Sequence, residues 1–450
     1  MVSMPGRCHI LLGGALVAFA LGVAACGPSA TAGPDAYPVP RATVTGRVWV
    51  PGQGPGQVPD GQEIPVFGAE VYLSVDRPEP IPDHVYCQRC ADAPPQAIYS
   101  DHDGSFELGP YPAGTYWLVI QKGQFRLEQQ VTLDLGELRL DAAATTLPSV
   151  HDPDHGAYVP RMAIALGTND NIEDVLGKLG LGAYDPTTFT FAGPGGEVDV
   201  YDNGYALPGS MGTVTDLFTD LDQMRRYHLI LLPCSTQTTA VSVLTDQAVL
   251  ANIRRYVAEG GRLYVTDWSG EAIDRPFPPQ LELVDVGADS VGTYDPATFT
   301  GTLTEVGTAD GERYDAADAE VVDDDLAAWL GLQLGPTPDS PTPQVYDPAS
   351  FLASDNWNWI RGLGTVETGV DEQGAPVEDV PKPWVVGSGP ATGGVKQPLT
   401  VTFEPAGCGR VMYSTYQTAN GHHPGLYPQE RVLLFLIMEI GVCSNPPVVN

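Results

Sequence analysis

The spacing of apolar residues changes character along the chain. From about residue 43 to 147, apolar and polar residues alternate in short runs: TVTGRVWV, GAEVYLSVD (Gly68 to Asp76), the stretch from Ile98 to Gly123, and FRLEQQVTLDLGELRL. Gly and Pro turns separate these runs, and no helical spacing intervenes. A period of two places one face in a core and one in water, so this region predicts an antiparallel β-sandwich. From about residue 161 to 443 the pattern is different. RMAIAL is followed by a helical stretch with Ile172, Val175, Leu176 and Leu179 on one face, then by EVDVYD, TVTDLFTDLDQMRR, HLILLPC, LTDQAVLANIRRYVAEGG and RLYVTDWS. Runs that are apolar throughout suit strands covered on both faces, and their alternation with amphipathic helices predicts parallel crossover units in a doubly wound sheet. From about 281 to 394 the chain turns acidic, Gly- and Pro-rich and aperiodic, which reads as a long insertion. The chain closes with a hairpin around Gly407-Cys408-Gly409 and an apolar helix, PQERVLLFLIMEIGVC, with Pro428 in its first turn.

Three stretches stand outside these units. Arg7 precedes an apolar run from Ile10 to Leu21, which ends in Val23-Ala24-Ala25-Cys26. Residues 1–25 therefore have the form of a signal peptide, with an apolar run shorter than the ~20 residues of a membrane span. The four residues at its end resemble the bacterial lipobox. The resemblance implies export, a lipid on Cys26 that binds the membrane, a flexible tether over residues 26–42, and outer-membrane placement if the cell has an outer membrane. Residues 148–160, with two His and two Asp beside Pro and Gly, read as a polar linker, and 444–450 as a tail.

The formal charge of −34, from 22 basic and 56 acidic residues, repels nucleic acid, so no nucleic-acid partner is expected. An exported chain meets an oxidising compartment in which disulfides persist. The expected pairs are Cys87 with Cys90, inside a Pro-rich loop, and Cys408 with Cys443. Cys234 then stays free at the end of a buried strand. The alternative for the first pair is a metal knuckle of His84, Cys87 and Cys90, which lacks the second ligand pair a tetrahedral site needs.

The motif Ser100-Asp101-His102-Asp103-Gly104-Ser105-Phe106-Glu107-Leu108, followed by Pro112-Ala113-Gly114-Thr115-Tyr116-Trp117-Leu118, resembles the carboxypeptidase regulatory-like domain, a transthyretin-like β-sandwich. That resemblance implies a non-catalytic module in a wider fold that includes carbohydrate binders. The stretch from His228 to Asp267, with its GG turn, looks like the class I glutamine amidotransferase-like fold. That resemblance implies a flavodoxin-like α/β domain. Active families carry a Gly-x-Cys-x-Gly elbow. The matching stretch here is Val265-Thr266-Asp267-Trp268-Ser269-Gly270, so Asp267 or Trp268 stands at the nucleophile position, and Cys234 ends the preceding strand.

The fold class expected is therefore a multidomain α+β chain: an antiparallel β-sandwich, then a flavodoxin-like doubly wound parallel sheet with a long insertion. Ligands of such sheets meet the carboxyl ends of the strands. The candidate binding rim is Thr168, Asn169, Cys234, Ser235, Asp267 and Trp268. The expected work is binding or scaffolding for a glycan or an envelope protein, without a cofactor. The rival reading is a hydrolase or amidase with Cys234 as nucleophile, His422 or His423 as base and Asp267 as orienting acid. Trp329, Trp357, Trp359 and Trp384 fit either a core or a sugar platform.

Overall fold

The computed structural model describes residues 41–442 except 89–92, 236–242, 284, 287–289, 296–299, 306–307, 310–312, 371–374, 390–392 and 406, and no side chains between 284 and 312. The expected signal and tether, Cys26, Cys90, Cys443 and the tail lie outside the described residues.

The chain is mixed α/β and rich in strands. The first eight strands are β1 (Ala42–Arg47), β2 (Glu70–Ser74), β3 (Ile98–Tyr99), β4 (Ser105–Tyr111), β5 (Gly114–Lys122), β6 (Phe125–Leu133), β7 (Gly136–Arg139) and β8 (Ala157–Tyr158). They form two sheets, in the orders β4-β1-β7 and β3-β2-β5-β6-β8. Alternation explains the burial: Val44, Leu108, Leu118, Ile120 and Leu133 are all core residues. Gly104 turns the chain with φ +79, and a Cβ there would sit 2.6 Å from the Val48 carbonyl oxygen, so glycine is required. One pairing departs from the antiparallel expectation. β7 runs parallel to β1, because the chain crosses over after β6 instead of turning back on it. The expected linker also carries structure, since β8 adds a strand beside β6.

The second region builds a nine-stranded sheet. Its strands are β9 (Met162–Leu166), β10 (Val198–Asp202), β11 (Leu229–Leu232), β12 (Arg262–Thr266), β13 (Tyr314–Val321), β14 (Phe351–Asn356), β15 (Lys382–Gly387), β16 (Gln397–Phe403) and β17 (Arg410–Ser414). The order is β10-β9-β11-β12-β17-β16-β15-β13-β14. The first five are parallel and the rest pair antiparallel. The expected purely parallel sheet is thus half of a mixed one. The segment read as an insertion supplies three of the antiparallel strands. Its period was hidden because the buried positions of β13 include the small residues Ala316 and Ala319, interleaved with Asp and Glu.

Helices cover both faces of the parallel half. α1 (Ile172–Lys178) and α5 (Pro428–Ile440) pack with Met162, Ile164, Val200, Leu231 and Met412. α2 (Val214–Thr219) and α3 (Gln247–Ala258) pack on the other side with Ala163, Ile230, Leu232, Leu263 and Val265. Alternate residues of each strand therefore face different helices, which is why these strands are apolar throughout.

The two regions share a core. Phe435 of α5 meets Phe67 at 6.3 Å and Trp329, on α4 (Asp324–Leu330), at 5.1 Å. The Trp329 indole donates to the Pro65 carbonyl at 2.9 Å, and Lys122 pairs with Glu439 at 2.6 Å. The loop after β2 makes a further tie and overturns the expected disulfides. Val85 N–H donates to the Arg225 carbonyl at 2.8 Å, and His228 Nε2–H donates to the Pro82 carbonyl at 2.8 Å. The loop is thereby laid across the α/β body and brings Cys87 to the β16–β17 turn. Cys87 is bonded to Cys408, with Cα atoms 5.6 Å apart, and not to Cys90; Cys408 is correspondingly unavailable to Cys443. The bond also removes Cys87 from the metal-knuckle alternative, and His84 is exposed and bonded to Asp83.

Candidate functional site

The carboxyl ends of β9, β11 and β12 bring Cys234 and Asp267 together. Asp267 follows the last residue of β12 with φ +50, a left-handed turn that Asp tolerates better than most residues. The turn directs its carboxylate inward. Oδ1 accepts the Trp357 N–H at 2.9 Å, and Oδ2 accepts the Cys234 thiol at 3.6 Å. The Asp267 carbonyl accepts the Tyr413 hydroxyl at 3.0 Å.

Behind this pair lies a second buried carboxylate. Cys234 N–H donates to Thr266 Oγ1 at 2.9 Å, and that hydroxyl donates to Asp170 Oδ2 at 2.5 Å. Asp170 Oδ1 accepts both the N–H and the hydroxyl of Thr418, at 3.1 and 2.7 Å. Ser269 donates to the Pro233 carbonyl at 2.7 Å, and Ser235 donates to the Asn203 carbonyl. Thr168 and Asn169 are exposed beside them. Trp268 is half-buried and lies tilted against Trp357, ring centres 4.6 Å apart.

Burial sets the electrostatics. Cys234 and Asp267 are both 0% exposed. Desolvation pushes the Asp267 carboxyl well above the usual carboxylate range, against the pull of the Trp357 N–H and the thiol, and nearby Asp170 and Asp355 add to the rise. Desolvation also pushes the Cys234 thiol up, and the Asp267 charge pushes it further. Burial raises Asp170 as well, against its hydrogen bonds from the two threonines. A nucleophilic thiolate needs the opposite, a neighbouring cation and access to solvent.

The two histidines of the rival reading sit elsewhere. His422 Nδ1 is 2.6 Å from Asp174 Oδ2, at α1. His423 Nε2 is 2.8 Å from Glu430 Oε1, in the first turn of α5, and its ring stacks on Tyr427 at 3.7 Å. The proposed nucleophile and acid meet, but each proposed base is held by another carboxylate. Asp170, Thr266, Thr418 and Trp357 complete the network without having been singled out for it. In the sequence Asn169 or Asp170 reads as able to cap the helix that follows, Trp357 as core or sugar platform, and nothing local ties Thr266 or Thr418 to the pair. Among the four tryptophans left open, Trp329 and Trp384 are core residues, and Trp357 and Trp359 are half-buried.

A separate cleft of about 510 Å³ opens where the loop after β1 meets the start of α5 and the end of α1. Arg431, Lys178, Tyr184 and Tyr427 line it.

No family model matches the chain, and no curated protein matches it. Among solved structures the chain is similar to the cold-adapted beta-galactosidase from Rahnella sp. R3, at 15% identity and a TM-score of 0.27, over 64% of this chain and 32% of that one. The chain thus matches about a third of that chain's length, and a likeness at that score bears on neither fold nor activity.

Proposed function

We propose that this chain is an exported cell-envelope protein, lipid-anchored through Cys26, whose folded body is a non-catalytic binding or scaffolding module for a glycan or protein partner. In this reading residues 43–147 are a carboxypeptidase regulatory-like sandwich, supported by the two packed sheets and by the Asp103-Gly104 turn that carries the chain from β3 in one sheet to β4 in the other. The region from 161 is an amidotransferase-like domain without its catalytic elbow. The flavodoxin-like order two-one-three-four-five of its parallel strands supports that assignment.

The observation that carries the proposal is the Cys234–Asp267 pair. At the rim where this architecture places a nucleophile, the side chain at the elbow is a buried carboxyl, and it accepts a hydrogen bond from a buried thiol. Such a pair holds structure and performs no acyl transfer, which needs a thiolate, a base within hydrogen-bond reach and a route for substrate.

The test is alkylation of Cys234 in the folded protein between pH 5 and 9, with Cys234→Ser as the control. Labelling that begins only on denaturation is expected. Rapid labelling well below the ~8.5 of a free thiol would put the cysteine hydrolase first.

A further inference from the structure

Arg431 is 2% exposed and lines the 510 Å³ cleft. Its Nη1 donates to Gln333 Oε1 at 2.6 Å, and its Nη2 donates to the carbonyls of Leu334 and Gln62 at 3.0 and 3.4 Å. Its Nε is buried without a hydrogen-bond partner. Every acceptor is neutral, Tyr346 included, which offers its hydroxyl and its ring, with its centre 5.3 Å from the guanidinium carbon. Buried arginines are ordinarily matched by a carboxylate, because an unpaired charge in a dry site is costly. Among the described residues neither Arg431 nor Lys178, the other cation of the cleft, has an ion pair; the buried Glu430 carboxylate acts on both from beyond ion-pair distance, while its oxygens are held by His423 and by the Tyr427 N–H. The cleft lining contains no Asp or Glu, although the chain carries 56 of them.

The remaining surface of the cleft has the chemistry of a sugar site. Tyr184 and Tyr427 are half-buried, offering aromatic faces and hydroxyls, and five prolines make rigid apolar walls. Gln57 and Gln62 bring amides to the rim. The volume falls within the ~300–1,000 Å³ of ordinary ligand sites, which combine apolar walls with a few placed polar groups.

We infer that this cleft binds an oligosaccharide bearing a carboxylate, with the acid group held by Arg431 and Lys178 and the sugar rings against the tyrosines and prolines. The inference rests on the binding-module reading and names its ligand class. An acidic ligand supplies a carboxylate in direct contact with two cations that Glu430 balances only from a distance, whereas a neutral sugar leaves Arg431 as it stands. The acidic surface elsewhere disfavours anions, so attraction to one is confined to this cleft.

The experiment is calorimetric titration of the purified protein with trigalacturonate and, in parallel, galactotriose. Trigalacturonate should bind at least about tenfold more tightly. Its affinity should fall as salt rises from about 0.01 to about 0.1 M, which shortens the Debye length from ~30 to ~10 Å. Lys178→Gln, at a half-exposed position, should weaken it severalfold with unchanged thermal unfolding, and Arg431→Gln about tenfold or more. Because Arg431 also braces Gln333 and Leu334, Lys178→Gln is the decisive variant should Arg431→Gln fail to fold. Equal affinity for both sugars, indifference to Lys178→Gln, or binding of a peptide carboxylate in place of trigalacturonate would overturn the site. Absence of sugar binding with Cys234 still unlabelled removes this ligand and leaves the module reading intact. Rapid Cys234 labelling removes the module reading itself.

Discussion

Replacing Asp267 by Asn isolates the energetics of the buried pair. Asn keeps the shape, tolerates φ +50, and retains an oxygen for the Trp357 N–H at 2.9 Å. It removes the ionisation. In the unfolded chain the carboxyl titrates near ~3.9, and in the fold burial holds it well above that. Over the interval between those two values the native state binds more protons than the unfolded one. The native side chain's contribution is therefore full below pH ~4 and declines as pH rises, by ~1.4 kcal/mol per unit until the raised value is passed. The variant lacks this loss. At pH 4 the two proteins should lie within ~1 kcal/mol of each other, the net worth of a neutral hydrogen bond. Above pH 4 the variant should gain on the native protein by ~1.4 kcal/mol per pH unit, and the gain should level off once the raised value is passed. Denaturant midpoints at pH 4, 5, 6 and 7, followed by tryptophan fluorescence, measure the gap. A variant weaker by a constant amount at every pH would mean that the native carboxylate is ionised and held by a cation. The rim would then be a charged site and not a structural one.

Three other outcomes follow from the packing. Non-reducing digestion should join the peptide of Cys87 to that of Cys408. Cys408→Ser should lower the unfolding midpoint, since closing a loop of sequence separation 321 is worth about 6 kcal/mol on a chain-entropy account; a Cys87–Cys90 peptide would refute the connection. His228, desolvated between the Arg161 N–H and the Pro82 carbonyl, is pushed down to about 4. Its contribution is complete above pH ~6.5 and is lost as pH falls toward 4, to a total of about 3 kcal/mol, and an NMR titration midpoint near 6.5 would contradict the burial argument. Trp329→Ala should cost about 3–5 kcal/mol and Trp329→Phe about 1, the latter for the bond to Pro65. Equal losses for the two variants would mean that the ring packing against Phe435 contributes nothing.

The crossover from β11 to β12 was legible because both strands are apolar throughout and Val249, Leu250, Ile253 and Val257 fall on one face of α3. The strands before residue 147 were legible from a different signal, the period-two alternation of apolar and polar residues. β13 was not, because alanine at buried positions gives a weak period and the acidic residues between mimic a solvated loop. The disulfide was unreadable because it depends on where the loop from Pro82 to Cys87 is laid, which Arg225 and His228 decide from well over a hundred residues away. The same holds for the site. Cys234 and Asp267 end neighbouring strands, so their meeting follows from topology. Asp174, which holds His422, and Thr418, which holds Asp170, each lie 248 residues from their partner, and only the folded chain selects them.

The rim and the cleft divide the molecule's chemistry between them. At the rim, polar side chains of three strand ends and two later loops are spent on one another, and the turn at Asp267 points inward what an active elbow would present outward. At the cleft the opposite holds, since among the described residues two cations there have no carboxylate in direct contact. Its walls come from the loop after β1, the end of α1, the segment after α4 and the start of α5, so neither region forms it alone. Gln53 donates to the Lys178 carbonyl at 2.7 Å, and Arg431 reaches the Gln62 carbonyl at 3.4 Å, so the two regions are held together at the cleft itself. In the reading proposed here, recognition therefore belongs to the junction: the shared core around Phe435 and Trp329 fixes the walls in place, and an acidic ligand supplies the direct carboxylate contact that the two cations lack.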